Sequence, residues 1–244
     1  MQYNKYGGSI IVIRQSYHHT GNRRRDRGPL MDNLIEKTKE YVREFFRGEY
    51  SGHDYYHTIR VYELAKKIAE VENADIRIVS LAALLHDVDD AKISPDTYKD
   101  KVNAVAFLKK EDVSDNEIGR IVEIIDQISF LGTDSVVPST IEGKCVQDAD
   151  RLDALGAIGI ARAFAYGGNH DRDIYDPDVP PVLGMTKEEY RRHESTSLNH
   201  FYEKLFLLKD MMNTATALKI ADRREKYMRA YLDEFLREWS AEDC

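Results

Sequence analysis

The chain is short of several things, and each shortage closes a class of explanation. Two cysteines, Cys145 and Cys244, are too few for a disulfide framework and form no C-x-x-C pair, so a reducing cytoplasm is the expected location. Long apolar runs are missing as well. The longest near the start, Ile10-Ile11-Val12-Ile13, falls far short of a signal-peptide core or a membrane span, and no membrane association is expected. Neither repeats nor low-complexity tracts occur. Positive charge is not in excess either: 35 Lys and Arg stand against 43 Asp and Glu, a net charge of −8. That balance speaks against a general nucleic-acid binder, because a phosphate backbone demands a basic surface. A small phosphorylated ligand stays compatible, since a metal and a few arginines outweigh the global charge locally.

What the chain has is helical periodicity. With 244 residues, 42% of them hydrophobic, it can bury one substantial core, and its length allows one or two domains. Residues 1–30 stand apart: they carry Gly7-Gly8, His18-His19 and the basic run Arg23-Arg24-Arg25 with Arg27, but no sustained stripe. They read as a flexible extension, with a nucleic-acid or partner-binding arm as the alternative. A single all-α domain is expected over residues 31–240.

Asn33 and Glu36 have capping-box spacing ahead of a face made by Leu34, Ile35, Thr38, Tyr41, Val42 and Phe45. Val61, Leu64, Ala65 and Ile68 make a second stripe, and Ile78, Leu81, Ala82 and Leu85 a third. A helix over Asp96 to Lys110 presents Tyr98, Val102, Val105 and Ala106. Ser114 with Glu117 opens another, bearing Ile118, Ile121, Val122, Ile125 and Ile128. One helix from about Lys144 is expected to run to Tyr166-Gly167-Gly168. A long irregular stretch, about 167–186, is either a lid or disordered. Leu198, Phe201, Tyr202, Leu205 and Leu208 then form one amphipathic face, and Leu218, Ala221, Met228, Tyr231, Phe235 and Trp239 another.

The chemistry is concentrated between Gly52 and Ala91. His53, His57 and His86 lie there with Asp54, Asp87, Asp89 and Asp90, side chains that bind a metal through nitrogen and hard oxygen. Placement matters more than number. His57 lies four residues before Val61 and His86 four after Ala82, so both imidazoles point into a core. Asp87 would be an acid at the edge of that core, costly unless paired or bound to a cation. Downstream, Val146, Ala149, Asp150, Asp153 and Ala157 share one helical face, which puts Asp150 among small residues.

The run His57-x-x-Arg60-Val61, then His86-Asp87, then Ala149-Asp150-Arg151-Leu152 resembles the HD-domain phosphohydrolase superfamily, over about Met31 to Trp239. The resemblance implies an all-α helical bundle whose divalent metal is held by His57, His86, Asp87 and Asp150. It implies that Asp90, three places after the aspartate of the His-Asp pair, acts as catalytic acid or base, with Asp89 as competitor. Asp148 either caps or pairs on its helix or replaces Asp150 as ligand, and Asp153 stands behind the ligands. Arg60 and Arg151 either pair with the acidic cluster or, for Arg60, contact phosphate. His53 is a candidate substrate contact or a helix-start residue. The region Lys144 to Arg162 and the segment Leu198 to Lys204 are similar to a smaller, nucleotide-hydrolysing branch, in which His200 and Lys204 would contact a polyphosphate. Lys204, Arg223 and Arg224 are further candidates to reach the pocket, or else solvated.

Manganese is favoured among Mn, Mg, Co, Ni, Fe and Zn. A phosphorylated small molecule, most simply a nucleotide, is the expected partner, and the helical faces admit a homodimer. A di-iron oxygenase or a non-catalytic metal-binding regulator are the alternatives in other classes.

Overall fold

The computed structural model describes residues 29–49, 54–91, 93–128 and 135–242. Among them are α1 (Pro29–Phe45), α2 (Tyr55–Glu72), α3 (Ile76–Leu85), α4 (Val102–Lys110), α5 (Asp115–Ile128), α6 (Ile141–Asp153), α7 (Gly156–Asn169), α8 (Lys187–Arg192), a π-helix (Phe201–Leu205), α9 (Leu207–Asp210) and α10 (Ala215–Trp239). The described residues contain no strand, so the all-α expectation holds. No described helix is long and apolar enough to cross a membrane. The proposed extension over residues 1–30 lies almost wholly outside the described residues.

Helix α3 is the centre. Ile78 through Leu85 are all buried, the pattern of a helix enclosed on every side rather than along one stripe. Helix α2 packs on it and, more extensively still, on α6, through Val61, Ala65, Ile68 and Ala69 on one side and Cys145, Val146, Ala149 and Leu152 on the other. Helices α1 and α5 cover α3 from outside, while α7 and α10 close over α6. Side-chain caps fix several starts: Asp54 accepts from His57 N at 2.7 Å, Asp75 from Arg77 N and Ile78 N, Thr140 from Gly143 N, and Thr214 from Ala217 N.

Several expectations need correction. Helix α1 begins at Pro29, ahead of the proposed Asn33–Glu36 box, because proline suits a first helical position and Asn33 becomes an interior residue. Residues Asp96 to Lys101 are turns, not helix. The buried Asp89 carboxylate accepts from Asn103 N at 3.1 Å and Ala104 N at 2.9 Å, which sets the start of α4 at Val102. The face this helix buries is Ala104, Phe107 and Leu108, not Tyr98 and Val102. The expected helix from Lys144 to Gly168 is broken at Ala154-Leu155. Gly156, at φ +76°, turns the chain back, and α7 passes so close to the turn that a Cβ on Gly159 would lie 2.1 Å from Ala154 O. In the tail, Leu198, Phe201, Leu205 and Leu208 are buried as expected, but on a π-helix followed by the single turn of α9. On α10, Ala217, Ala221, Met228 and Leu232 form the buried face, and Leu218 and Trp239 are exposed.

The irregular stretch starts after Asn169. It is pinned at several points by one carboxylate, Glu203, whose Oε1 accepts from Val182 N at 3.1 Å, His193 Nε2 at 3.0 Å and Ser195 Oγ at 2.9 Å. Asn199 Nδ2 adds a bond to Val179 O at 2.8 Å.

Candidate metal centre

His57 occupies the first turn of α2, and His86 and Asp87 follow the last residue of α3. All three are buried, at 1%, 7% and 6% of full exposure, and each brings one donor atom to a common point, all within 4.8 Å of one another. Asp87 Oδ2 lies 3.4 Å from His57 Nε2 and 3.1 Å from His86 Nε2. Asp150, from α6, supplies the fourth wall: its Oδ1 is 3.4 Å from His57 Nε2 and 3.9 Å from His86 Nε2, with the side chain 28% exposed.

The far side of each imidazole is occupied. His57 Nδ1–H donates to Asp153 Oδ2 at 2.8 Å, and His86 Nδ1–H donates to Ala83 O at 2.9 Å. Both bonds select the tautomer whose Nε2 presents a lone pair to the carboxylates. His86 Nε2 is fully buried yet makes no well-formed hydrogen bond, even with Asp87 Oδ2 so near. Two imidazole nitrogens and two carboxylates converging without good mutual geometry are what a divalent cation requires, and the donor set suits a first-row ion.

Without a cation, protons take its place. Burial opposes charge on His57, but Asp150, Asp153 and Asp87 outweigh it and raise its pKa well above the ordinary value. His86 is raised too: burial opposes, and Asp87 with Asp150 prevails. The Asp150 carboxyl is held low, burial again opposing and His57 and His86 overcoming it.

The surrounding residues divide sharply. Arg60 grips Asp153 with two donors, Nε to Oδ1 at 2.7 Å and Nη2 to Oδ2 at 2.9 Å, so the ion-pair alternative describes its contacts. Arg151 turns away from the centre and donates to Met211 O. Arg224 donates to Leu152 O, behind the α6–α7 turn, and Arg223 is exposed. Asp148 is no alternative ligand: its buried carboxylate accepts from the N and Nδ2 of Asn213 and from the N and Oγ1 of Thr214. Asp89 is spent on α4, as described above. Asp90 is partly exposed in the turn after His86-Asp87, with its N–H donating to Asp87 O at 3.1 Å. His200 and Lys204 lie on another element, the π-helix and its cap, close to Arg172. His53 falls outside the described residues. Cys145 is buried, and burial, with Asp148 nearby, pushes its thiol up to about 12, an unreactive state.

One residue was not foreseen. Arg162 Nη1 donates to Asp153 Oδ2 at 2.8 Å. Its signal was in plain sight: it is the sole charged residue in α7, an otherwise apolar and glycine-rich helix.

Comparison with known proteins agrees with this geometry. A family model described as HD domain matches residues 54–155, from the residue capping α2 to just past α6. The Bacillus subtilis protein YpgQ is 40% identical over 196 residues, spanning 79% of this chain and 87% of its own. A crystal structure of an HD-superfamily hydrolase from Bacillus thuringiensis is 42% identical, with TM-score 0.69 over 86% of this chain and 99% of that one. The crystal structure of YpgQ in complex with ADP is 35% identical, with TM-score 0.69 over 86% and 96% of the two chains. Relatives matched along most of their length, and a model hit bracketing the helices that carry His57, His86, Asp87 and Asp150, place this chain in the HD-domain phosphohydrolase superfamily.

Proposed function

We propose that this chain is a divalent-metal-dependent phosphohydrolase acting on nucleotides, most specifically releasing pyrophosphate from a nucleoside triphosphate. The observation that carries the reading is the meeting of His57 Nε2 and His86 Nε2, each braced from behind, with the carboxylates of Asp87 and Asp150. These four residues would hold the ion, and manganese suits the mixed nitrogen and oxygen set. When bound, the ion supplies a water of lowered pKa and polarises a phosphoryl oxygen.

The chain's own residues do the rest. Asp90, in a turn tied to Asp87 by its own N–H and to Ile93 and Ser94 by its carbonyl, takes the proton of the attacking water or returns one to the leaving oxygen. As an aspartate it is a short acid, so the substrate must approach closely or be reached through a water. The buried faces of α2 and α3 keep solvent from two sides, while Asp150, partly exposed, marks the open one. His200 and Lys204 are assigned to the phosphate chain. Burial, then Lys204 and Arg172, hold the His200 pKa down to about 3, so it would meet phosphate oxygens as a neutral donor. The ADP bound by YpgQ supports a nucleotide as the substrate class.

The test is product release by metal-stripped protein reloaded with single divalent ions and offered nucleoside triphosphates, diphosphates and small phosphomonoesters. Pyrophosphate release that vanishes in Asp87→Ala supports the proposal. Release of phosphate alone would make the protein a phosphatase, and metal-independent turnover would overturn the mechanism.

A further inference from the structure

We infer that Asp153 is a positioning residue for the metal site, holding His57 from behind, and that Arg60 and Arg162 serve to fix Asp153 rather than to bind substrate. The inference rests on the metal-site reading above and concerns how strongly that site binds its ion.

Asp153 ends α6 and is 1% exposed. Its Oδ2 receives three donors at once: His57 Nδ1 at 2.8 Å, Arg60 Nη2 at 2.9 Å and Arg162 Nη1 at 2.8 Å. Oδ1 receives Arg60 Nε at 2.7 Å. The donors come from two different helices, α2 and α7, so the carboxylate cannot rotate without breaking contact with one of them. A fixed Oδ2 fixes the plane of the His57 ring, and the opposite nitrogen then stands 3.4 Å from both Asp87 Oδ2 and Asp150 Oδ1.

The two histidines are braced unequally. His86 uses the carbonyl of Ala83, a neutral acceptor within its own helix that no side-chain substitution removes. His57 leans on a full negative charge, which strengthens the hydrogen bond and raises the donor strength of Nε2. Arg60 and Arg162 keep that charge in place. Each guanidinium pairs with Asp153, and Arg60 uses the bidentate fork that a guanidinium forms with a carboxylate.

The experiment measures binding of zinc alone, by competition with a fluorescent chelator, in the wild-type protein, Asp153→Asn, Asp153→Ala and Arg162→Gln, with folding checked by circular dichroism. Removing such an outer partner weakens metal affinity by about 10- to 100-fold. Asp153→Ala is therefore expected to fall in that range. Asp153→Asn should recover part of the loss, because its amide oxygen still accepts from Nδ1, and Arg162→Gln should show a smaller loss. A second readout separates positioning from packing: proton NMR of the zinc-loaded, nitrogen-15-labelled protein should show low-field Nδ1–H resonances for His57 and His86, and Asp153→Asn should move only that of His57. Folded Asp153 variants with wild-type zinc affinity, or a His57 resonance indifferent to Asp153→Asn, would overturn the inference and leave the metal site standing. Failure of the wild-type protein to bind zinc or manganese would overturn both.

Discussion

Asp148 and Thr214 are joined twice, the backbone N–H and the hydroxyl of Thr214 both donating to Asp148 Oδ2 at 2.8 Å. Two residues further along α6, Asp150 points instead at His57. Acids two apart on one helix face different directions, and here one anchors the residue that caps α10 while the other borders the candidate metal centre. Asp148→Ala would leave buried donors of Asn213 and Thr214 without an acceptor, a loss of about 3 kcal/mol. For a chain of this size that lowers the melting temperature by roughly 10 °C. Asp150→Ala should lower the melting temperature of the metal-free protein less, by the loss of its pairing with His57, and abolish metal binding. Calorimetry with and without manganese separates the two; equal effects of both substitutions on metal binding would contradict the assignment.

Asp89 and Asp90 divide in the same way. Asp90→Asn should keep metal affinity within about twofold while turnover falls by 100-fold or more, the scale of a lost general acid or base. Asp89→Ala should cost about 1 kcal/mol through the loss of the α4 cap, with kcat preserved in the folded fraction. Steady-state kinetics with metal titration reads both, and an inactive, stable Asp89→Ala would exchange their roles.

His200 predicts a pH dependence. Its folded-state pKa is about 3 against an ordinary value of 6.5, the shift caused by burial, then by Lys204 and Arg172. As pH falls below the ordinary value the unfolded chain takes up a proton that the folded chain refuses, so stability drops, by up to about 1.4 kcal/mol per pH unit, until the folded-state pKa is reached. Above the ordinary value the residue contributes no slope. Denaturant unfolding of His200→Gln should therefore be less acid-sensitive than wild type in that window; parallel curves would contradict the burial of a neutral imidazole.

Glycines on α7 are not equivalent. A Cβ at Gly159 would meet Ala154 O at 2.1 Å, whereas one at Gly168 would meet nothing within 4 Å. Gly159→Ala should cost about 1–3 kcal/mol and, by shifting α7, draw Arg162 away from Asp153 and lower metal affinity. Gly168→Ala should be neutral or stabilising by roughly 0.5–1 kcal/mol. Thermal melts and zinc titration on both variants decide it.

The candidate metal centre is legible because its residues lie on strongly periodic stripes: His57 and His86 fall on the buried faces their spacing implies, and Asp87 follows directly. Helix ends were less legible, since they depend on distant partners. The start of α4 is set by Asp89, which lies outside that helix, and the break after α6 is set by a left-handed Gly156 packed on Arg224. Arg162 escaped notice for a related reason. Its partner Asp153 lies beyond that break, and a reading that continued α6 into α7 as one straight helix could not bring them together. The spacing leaves Asp148 open between capping, pairing and ligation, because sequence gives the face of a helix but not what stands opposite it.

The most direct test is an anomalous difference map from a manganese-loaded crystal. The account predicts one peak within bonding distance of His57 Nε2, His86 Nε2 and oxygens of Asp87 and Asp150, with open positions toward the exposed side of Asp150. No peak there at saturating manganese, or a peak elsewhere with the four side chains unmoved, would contradict it.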